Sequence, residues 1–215
     1  QLRPATQRDR FMIRRLLAGS DARETWGDTS SVEAEITLAM ESSAALTRMI
    51  ECDGAIAGYA QAVDTGVLGE RPPDGVPAGA WRVAYFLQTA ACADAISGAS
   101  AALSLLTDEV FATSLAVACT ADVSIRTETA ARAYERAGFR WLGVAHDPAV
   151  GPFWVMLKDR PAPGQLAEVA CHHRQARKAQ RALRRCFVEC GLETRQTLAG
   201  DERHASTPPA LIAGA

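Results

Sequence analysis

Residues 127–139 read TETAARAYERAGF, and this stretch decides the fold. Thr127 is a residue type that caps the start of a helix, and Gly138 is the type that ends one, because it adopts the left-handed region without strain. The stretch therefore predicts a helix from about Glu128 to Ala137, with Tyr134 in its last turns.

The chain around this helix alternates between predicted strands and helices. Strands are predicted at Leu2–Pro4, Ala45–Glu51, Ala55–Asp64, Trp81–Gln88, Ser114–Thr120, Phe139–Ala145 and Phe153–Lys158. The Asp53-Gly54 pair between two of them is a strong hairpin signal. A further helix is predicted over Ser100–Phe111 from its apolar spacing. This order predicts a mixed α/β sheet, whose parallel part lies near Trp81 to Thr120.

Two further helices are predicted between the first two strands. Thr6 and Asp9 have the spacing of a capping box, and Ser30 with Glu33 offers a similar start to the second helix. Their apolar positions are Phe11, Met12, Ile13, Leu16 and Leu17 in the first helix and Ile36, Leu38 and Met40 in the second.

The composition is that of a globular protein. Of the 215 residues, 48% are hydrophobic and 22% charged, and the net charge is -2. The longest apolar runs are far shorter than the roughly 20 residues of a membrane-spanning helix, so we expect a cytoplasmic protein with no membrane partner. The six cysteines are scattered through a chain that does not need a disulfide framework, so reduced thiols are expected. An acidic excess over residues 1–160 favours a cationic substrate, although small imbalances usually belong to solvated surfaces.

A composition change near residue 160 divides the chain. Residues 1–160 form the predicted α/β domain, and residues 161–215 a basic amphipathic helix followed by a disordered end. The tail holds the sequence Cys171-His172-His173 and the pair Cys186 and Cys190, which raises the alternative of a metal site. Their spacing matches no common zinc module, so we predict no metal, and the lack of interleaved aromatic residues argues against nucleic acid.

The 127–139 stretch is similar to the second conserved motif of the GNAT superfamily of N-acetyltransferases, Asn-x-x-Ala-x-x-x-Tyr-Glu-x-x-Gly-Phe. The resemblance implies an α/β fold, a GNAT-like mixed and partly splayed sheet flanked by helices, here with a C-terminal helical extension. It also implies acetyl-CoA as co-substrate. Tyr134 would then be the acid that protonates the departing thiolate of coenzyme A.

Four weaker matches point to the aminoglycoside 6′-N-acetyltransferase branch. They are Trp26-Gly27, Gly58-Tyr59-Ala60-Gln61, Asp122 and the hairpin from Asp147 to Met156. The resemblance implies that Trp26 and Asp122 bind the substrate and that Asp122 holds or helps to deprotonate its amine. The expected partner is therefore a small-molecule primary amine, with an aminosugar as one candidate, and a homodimer is compatible with the family.

The resemblance also implies a coenzyme A site at the end of the fourth strand and the loop after it. Its residues would be Phe86, Leu87, Gln88, Ser97, Gly98, Ala99, Ser100 and Thr127. The family's loop reads Arg/Gln-x-x-Gly-x-Gly/Ala, whereas this chain has Asp94 and Ser97 at the first and fourth positions. A carboxylate would repel the pyrophosphate and a Cβ at Ser97 resists positive φ, so weak binding is predicted.

Two other departures concern catalysis. No carboxylate lies between Trp81 and Ala93, where the relatives carry an aspartate on the fourth strand. Thr127 replaces the motif's asparagine, which is tolerable because threonine also caps helices. Two interpretations stay open at this point. The departures mark either a degenerate, catalytically weakened GNAT that still binds something or a short reading-frame error in residues 88–98. The main prediction is transfer of an acetyl group from acetyl-CoA to a primary amine of a small polar molecule, and a non-catalytic binding protein on the same fold is the alternative.

Overall fold

A computed structural model describes residues 1–19, 29–67, 72–92, 94–147 and 151–162. All of them belong to one compact unit, Gln1–Leu166. Across these segments, the helices are all too short or too polar to cross a membrane. The predicted tail helix and its cysteine and histidine residues lie outside the described residues, so the boundary at residue 160 and the absence of a metal stay predictions.

The elements follow the predicted order. The strands are β1 (Leu2–Pro4), β2 (Ala45–Cys52), β3 (Ala55–Asp64), β4 (Ala80–Leu87), β5 (Ala118–Ser124), β6 (Arg140–Asp147) and β7 (Gly151–Asp159). The helices are α1 (Arg10–Leu17), α2 (Thr29–Glu41), α3 (Ala95–Thr113) and α4 (Glu128–Arg136). Short 3-10 turns lie at Gln7–Asp9, Thr65–Val67 and Thr89–Ala91.

The strands form one seven-stranded sheet in the order β1-β2-β3-β4-β5-β7-β6. Strands β4 and β5 run parallel, as predicted, and the other neighbouring pairs are antiparallel. The parallel pairing covers only three positions and ends at Arg82 opposite Thr120. Both strands continue beyond this point, β4 to Leu87 and β5 to Ser124. The sheet is therefore split on this side, where a cleft opens between the two strands.

Helices cover both faces of the sheet. Successive side chains of a strand point to opposite faces, so Val83 and Phe86 of β4 enter different clusters. Val83 packs with Leu103 and Phe111 of α3, whereas Phe86 packs with Ile36 of α2. Fully burying a side chain of this size contributes about 1.5 to 3 kcal/mol, so these two layers hold the sheet in place.

Local turn chemistry explains two confirmed features. Asp53 and Gly54 adopt φ values of 50° and 84° between the paired residues Cys52 and Ala55, which is the backbone of a two-residue hairpin turn. Gly138 follows α4 with a φ of 91°, as expected of a glycine that ends a helix.

The helix after β4 begins earlier than the sequence predicted. It starts at Ala95 and not near Ser100, because the carboxylate of Asp94 caps it. Asp94 accepts hydrogen bonds from the Ser97 amide at 3.1 Å and the Ser97 hydroxyl at 2.5 Å. Ser97 therefore lies in the first turn of a right-handed helix. The expectation that its Cβ would meet a positive φ was wrong.

The strand before α4 is shifted toward the C-terminus relative to the prediction. It spans Ala118–Ser124, because its whole length pairs with β7, and the segment 114–117 is a connection in which Leu115 and Val117 are exposed while Ala116 is buried. Asp122 consequently lies inside the strand and not beyond its end. Two predicted core positions, Phe11 and Leu38, are also exposed to solvent.

The expectation of reduced thiols was wrong for two cysteines. Cys52, the last residue of β2, forms a disulfide with Cys92, which follows the 3-10 turn after β4. The two residues are 40 positions apart in the sequence, and their Cα atoms are 6.0 Å apart. The sheet brings both chain segments to the same end, which the sequence did not reveal. Cys119 is a buried free thiol, and burial raises its pKa to about 12.

Candidate active site

A cavity of about 510 Å³ opens at the split in the sheet. Its walls come from α2, β4, β5, the start and middle of α4, and the β6–β7 hairpin. The cavity therefore touches both faces of the sheet, since α2 covers one face and α4 the other. Two predicted catalytic residues, Tyr134 and Asp122, and one predicted cofactor residue, Thr127, line it together.

Tyr134 reaches the split from α4. Its side chain is only 4% exposed, and its hydroxyl donates a hydrogen bond of 3.2 Å to the carbonyl oxygen of Val83. The ring packs against Tyr85 and Phe139, with centroid distances of 5.6 and 5.1 Å. Burial, with smaller effects of Tyr85 and Asp122, raises the pKa of Tyr134 well above its usual value. The phenol therefore keeps its proton at physiological pH.

Asp122 enters the cavity from the other face of the sheet. Its neighbours Ala121 and Val123 pack into the core beneath α3 and α4, so the alternation of β5 turns Asp122 toward the α2 side. The charge of Asp122 is nevertheless close enough to Tyr134 to raise the pKa of its phenol. The two residues thus line the split from opposite faces.

Thr127 precedes α4 as predicted but does not cap it with its side chain. Its carbonyl oxygen instead accepts the amides of Ala130 and Ala131. The threonine side chain therefore makes no capping hydrogen bond to the start of α4.

A carboxylate that sequence reasoning missed lies on the α2 wall. The Oε1 atom of Glu35 accepts a hydrogen bond of 2.9 Å from Gln61 of β3 and lies 3.7 Å from the guanidinium of Arg82 on β4. Gln61 is 2% exposed. A glutamine within an otherwise apolar predicted strand was the available signal, because an amide that such a strand buries requires polar partners.

The cavity carries more negative than positive side chains. Glu35, Asp122 and Asp147 contribute carboxylates, whereas Arg82 contributes a cation. His146, also missed in the sequence, lies beside Asp147 at the end of β6. Such a wall favours a ligand that carries ammonium groups.

The β4 wall offers no carboxylate, as the sequence showed. Tyr85 occupies this wall, and burial raises its pKa to about 12, so it retains its proton and cannot act as a base near neutral pH. The side chains of the cavity that can accept a proton lie on its other walls and are Glu35, Asp122, His146 and Asp147.

The predicted coenzyme A residues fall into two groups. Phe86 and Leu87 end β4 and Gln88 follows it, whereas Ser97, Gly98, Ala99 and Ser100 lie in the first two turns of α3. The side chains of Phe86 and Ala99 are buried, so these residues offer a ligand only backbone atoms. Arg136 of α4 reaches the same helix start, with its guanidinium 3.4 Å from the Ser97 hydroxyl. Trp26, the other predicted substrate residue, lies outside the described residues.

No protein-family model and no curated protein matches the chain. Several solved structures, in contrast, are similar to the chain. An AAC(6')-Ib structure with parmomycin and acetyl-CoA is 23% identical, with a TM-score of 0.62, and the match covers 78% of this chain and 95% of that one. The aminoglycoside acetyltransferase AAC(6')-Ib with coenzyme A and kanamycin matches at 22% identity and a TM-score of 0.62, over 78% and 96% of the two chains.

A third structure broadens the comparison. Spermidine N-acetyltransferase from Vibrio cholerae, in complex with coenzyme A and spermine, is 12% identical to this chain with a TM-score of 0.57. The match covers 74% of this chain and 95% of that one. At these sequence identities the similarity shows only that the backbones are arranged alike. Together with the split seven-stranded sheet, it shows that the chain has the GNAT fold of these N-acetyltransferases.

Proposed function

We propose that the protein transfers an acetyl group from acetyl-CoA to a primary amine of a small polar molecule that carries more than one ammonium group, such as an aminosugar. The observation that carries this proposal is the meeting of Tyr134 and Asp122 at the split of the sheet. One residue brings a proton and the other a negative charge to opposite sides of one cavity. The structures that share this fold include enzymes named for acetyl transfer to aminoglycosides and to spermidine.

The chain's residues fit one part of acetyl-CoA better than the other. Pairing of β4 with β5 ends at Arg82, so we propose that the thioester arm lies along the following part of β4 in the split. At the start of α3, however, the Asp94 carboxylate already accepts the Ser97 amide. Asp94 also adds negative charge beside the phosphates, while Arg136 adds a compensating positive charge nearby. We therefore propose binding through residues 86–88, 97–100 and Thr127, with modest affinity.

Acetyl-CoA supplies the acetyl group in activated form, as a thioester. The reaction forms a carbon–nitrogen bond to the acceptor, breaks the carbon–sulfur bond and moves one proton from the amine to the departing sulfur. Tyr134 carries the proton that the sulfur needs, and its raised pKa keeps that proton in place until negative charge develops on the sulfur. Its hydroxyl has to exchange the Val83 carbonyl for the sulfur during this step.

Asp122 prepares the other reactant. Its carboxylate attracts an ammonium group to the α2 side of the split and helps to remove the proton that must leave before attack. Glu35 and Asp147 extend the negative wall, so that further ammonium groups of the acceptor find partners. We keep Trp26 as a proposed acceptor contact.

A non-catalytic binding protein on the same fold is the second candidate, favoured by the capping of α3 by Asp94. Incubation of the protein with acetyl-CoA and kanamycin, with free coenzyme A measured by thiol release, distinguishes the two. Thiol release that depends on the amine and disappears in Tyr134→Phe supports the enzyme. Binding of kanamycin without any thiol release above the uncatalysed rate supports the binding protein.

A further inference from the structure

Three polar side chains connect the buried centre of the sheet to the cavity. The hydroxyl of Tyr59 donates a hydrogen bond of 3.0 Å to the side-chain oxygen of Gln61. The side-chain nitrogen of Gln61 donates in turn to Glu35 at 2.9 Å. Tyr59 is fully buried and Gln61 nearly so, whereas Glu35 lies at the cavity wall. The chain of hydrogen bonds therefore ends at a surface that a ligand can reach.

The chemistry of the three groups fixes the direction of these hydrogen bonds. An ionised carboxylate only accepts hydrogen bonds, so the Gln61 amide has to present its nitrogen to Glu35. Its oxygen then faces the tyrosine hydroxyl, which donates. Burial, helped by the charge of Glu35, raises the pKa of Tyr59, so this hydroxyl stays protonated. Each group is therefore held in one orientation by the next.

The backbone beneath these side chains is also constrained. A Cβ atom on Gly58 would lie 2.3 Å from the carbonyl oxygen of Phe86, closer than non-bonded atoms approach. Glycine at this position lets β3 and β4 pack at the distance that places Gln61 beside Ala84 and close to Arg82. Gly58 therefore permits the strand packing on which the position of Gln61 depends.

We propose that Gln61 and Tyr59 are positioning residues that hold the Glu35 carboxylate toward the cavity, where it binds a second ammonium group of the acceptor. This inference rests on the proposed function for the identity of the acceptor. Asp122 receives the reacting amine at the split, and Glu35 on the α2 wall receives another charge of the same molecule. An incoming ammonium competes with Arg82, whose ion pair with Glu35 is loose at 3.7 Å.

Calorimetric titration without acetyl-CoA tests this directly. The probes are kanamycin, which carries several amines, and glucosamine, which carries one. In Gln61→Leu the affinity for kanamycin should fall about tenfold, the loss expected when a hydrogen bond to a charged group disappears. The affinity for glucosamine should stay within about twofold. Tyr59→Phe, which removes only the donor at the buried end of the chain of hydrogen bonds, should weaken kanamycin binding about threefold.

Glu35→Gln provides the decisive comparison. If Gln61 acts through Glu35, Gln61→Leu should cause no further loss of kanamycin affinity once Glu35 is replaced. Glu33→Gln is the matched control, because it removes one carboxylate from the same helix at an exposed position that pairs with Arg14. It should leave both affinities unchanged.

Several outcomes would overturn the inference. They are equal loss for both probes in Gln61→Leu, additive losses in the double variant, or no binding of either probe to the unaltered protein. If Gln61→Leu does not fold, an unchanged kanamycin affinity in Tyr59→Phe would overturn the inference. Acetyl transfer is measured separately. A selective loss of kanamycin affinity in Gln61→Leu, without acetyl transfer by the unaltered protein, would support the positioning role and contradict the proposed function. Acetyl transfer by the unaltered protein, with the same kanamycin affinity in Gln61→Leu, would support the proposed function and contradict the positioning role.

Discussion

The hydroxyl of Tyr134 donates its hydrogen bond to the backbone of β4, at the carbonyl oxygen of Val83, 51 positions earlier in the chain. Val83 is the first β4 residue beyond the last position that pairs with β5. The phenol therefore occupies the point where the sheet divides. It closes one side of the cavity and satisfies a carbonyl group that the missing β5 partner leaves available.

Replacing Tyr134 with phenylalanine should separate catalysis from folding. We expect kcat for acetyl transfer to fall by a factor on the order of 10², because a positioned general acid is lost. Loss of the Val83 hydrogen bond should lower the free energy of unfolding by only about 1 kcal/mol. Steady-state kinetics and urea unfolding of the same preparation measure both quantities. A variant that folds and retains full kcat would rule out Tyr134 as the acid.

Replacing Asp94 with asparagine should strengthen acetyl-CoA binding. Asparagine also caps helices, so α3 should start at the same residue, while the negative charge beside the phosphates disappears. Hydrogen bonds to Ser97 hold the pKa of Asp94 below its usual value, so the charge is present at neutral pH. We expect affinity to rise roughly threefold to tenfold, less at high salt.

Titration calorimetry at two salt concentrations checks this prediction, with Asp159→Asn as a control for net charge on an exposed position far along β7. Tight binding by the unaltered chain, with no gain in Asp94→Asn, would show that the carboxylate does not oppose the phosphates.

The Cys52–Cys92 disulfide should stabilise the folded chain. A cross-link between residues 40 positions apart lowers the conformational entropy of the unfolded chain. This raises the free energy of unfolding by up to about 4 kcal/mol. We expect Cys52→Ser to lower the melting temperature, and a reductant to lower that of the unaltered protein to a similar value. Intact mass before and after reduction confirms the bond through the gain of two hydrogens. If the bond is present before reduction and absent after it, equal melting temperatures of the two samples would contradict the prediction.

The Asp9 carboxylate should make stability depend on pH. It accepts two hydrogen bonds from Arg3, at 2.7 and 2.9 Å, and two more from Thr6. The hydrogen bonds from Arg3 and, to a smaller extent, those from Thr6 hold the pKa of Asp9 well below its usual range. Its contribution is therefore present above the unfolded pKa of about 3.9 and is lost as the pH falls toward the folded pKa.

We expect Asp9→Asn to lower the free energy of unfolding by about 2 to 3 kcal/mol at pH 7 and by clearly less near pH 3. Urea unfolding at both values measures the difference. The exposed pair of Asp159 with Arg140 is the matched control, and Asp159→Asn should cost less than about 1 kcal/mol. An effect of Asp9→Asn that is independent of pH would show that its charge does not matter.

Short local patterns in the sequence determined several elements of this molecule. The segment from Thr127 to Gly138 predicted α4 and put Tyr134 on it, although the Thr127 side chain does not cap the helix, and Asp53-Gly54 predicted the first hairpin. Such signals succeed because they depend on backbone preferences of a few adjacent residues. Boundaries failed where pairing or capping decides them, as at Ala95 and at the start of β5.

The tertiary structure alone decided which distant residues meet. The sequence offers no reason to join Cys52 to Cys92, or Glu35 to Gln61, because each pair comes together only through the order and register of the strands. The family resemblance implied a partly splayed sheet and a shared site for Asp122 and Tyr134, but only the structure shows that the split between β4 and β5 brings them to one cavity from opposite faces. Contacts of this kind depend on the packing of the whole sheet, and local preferences do not encode them.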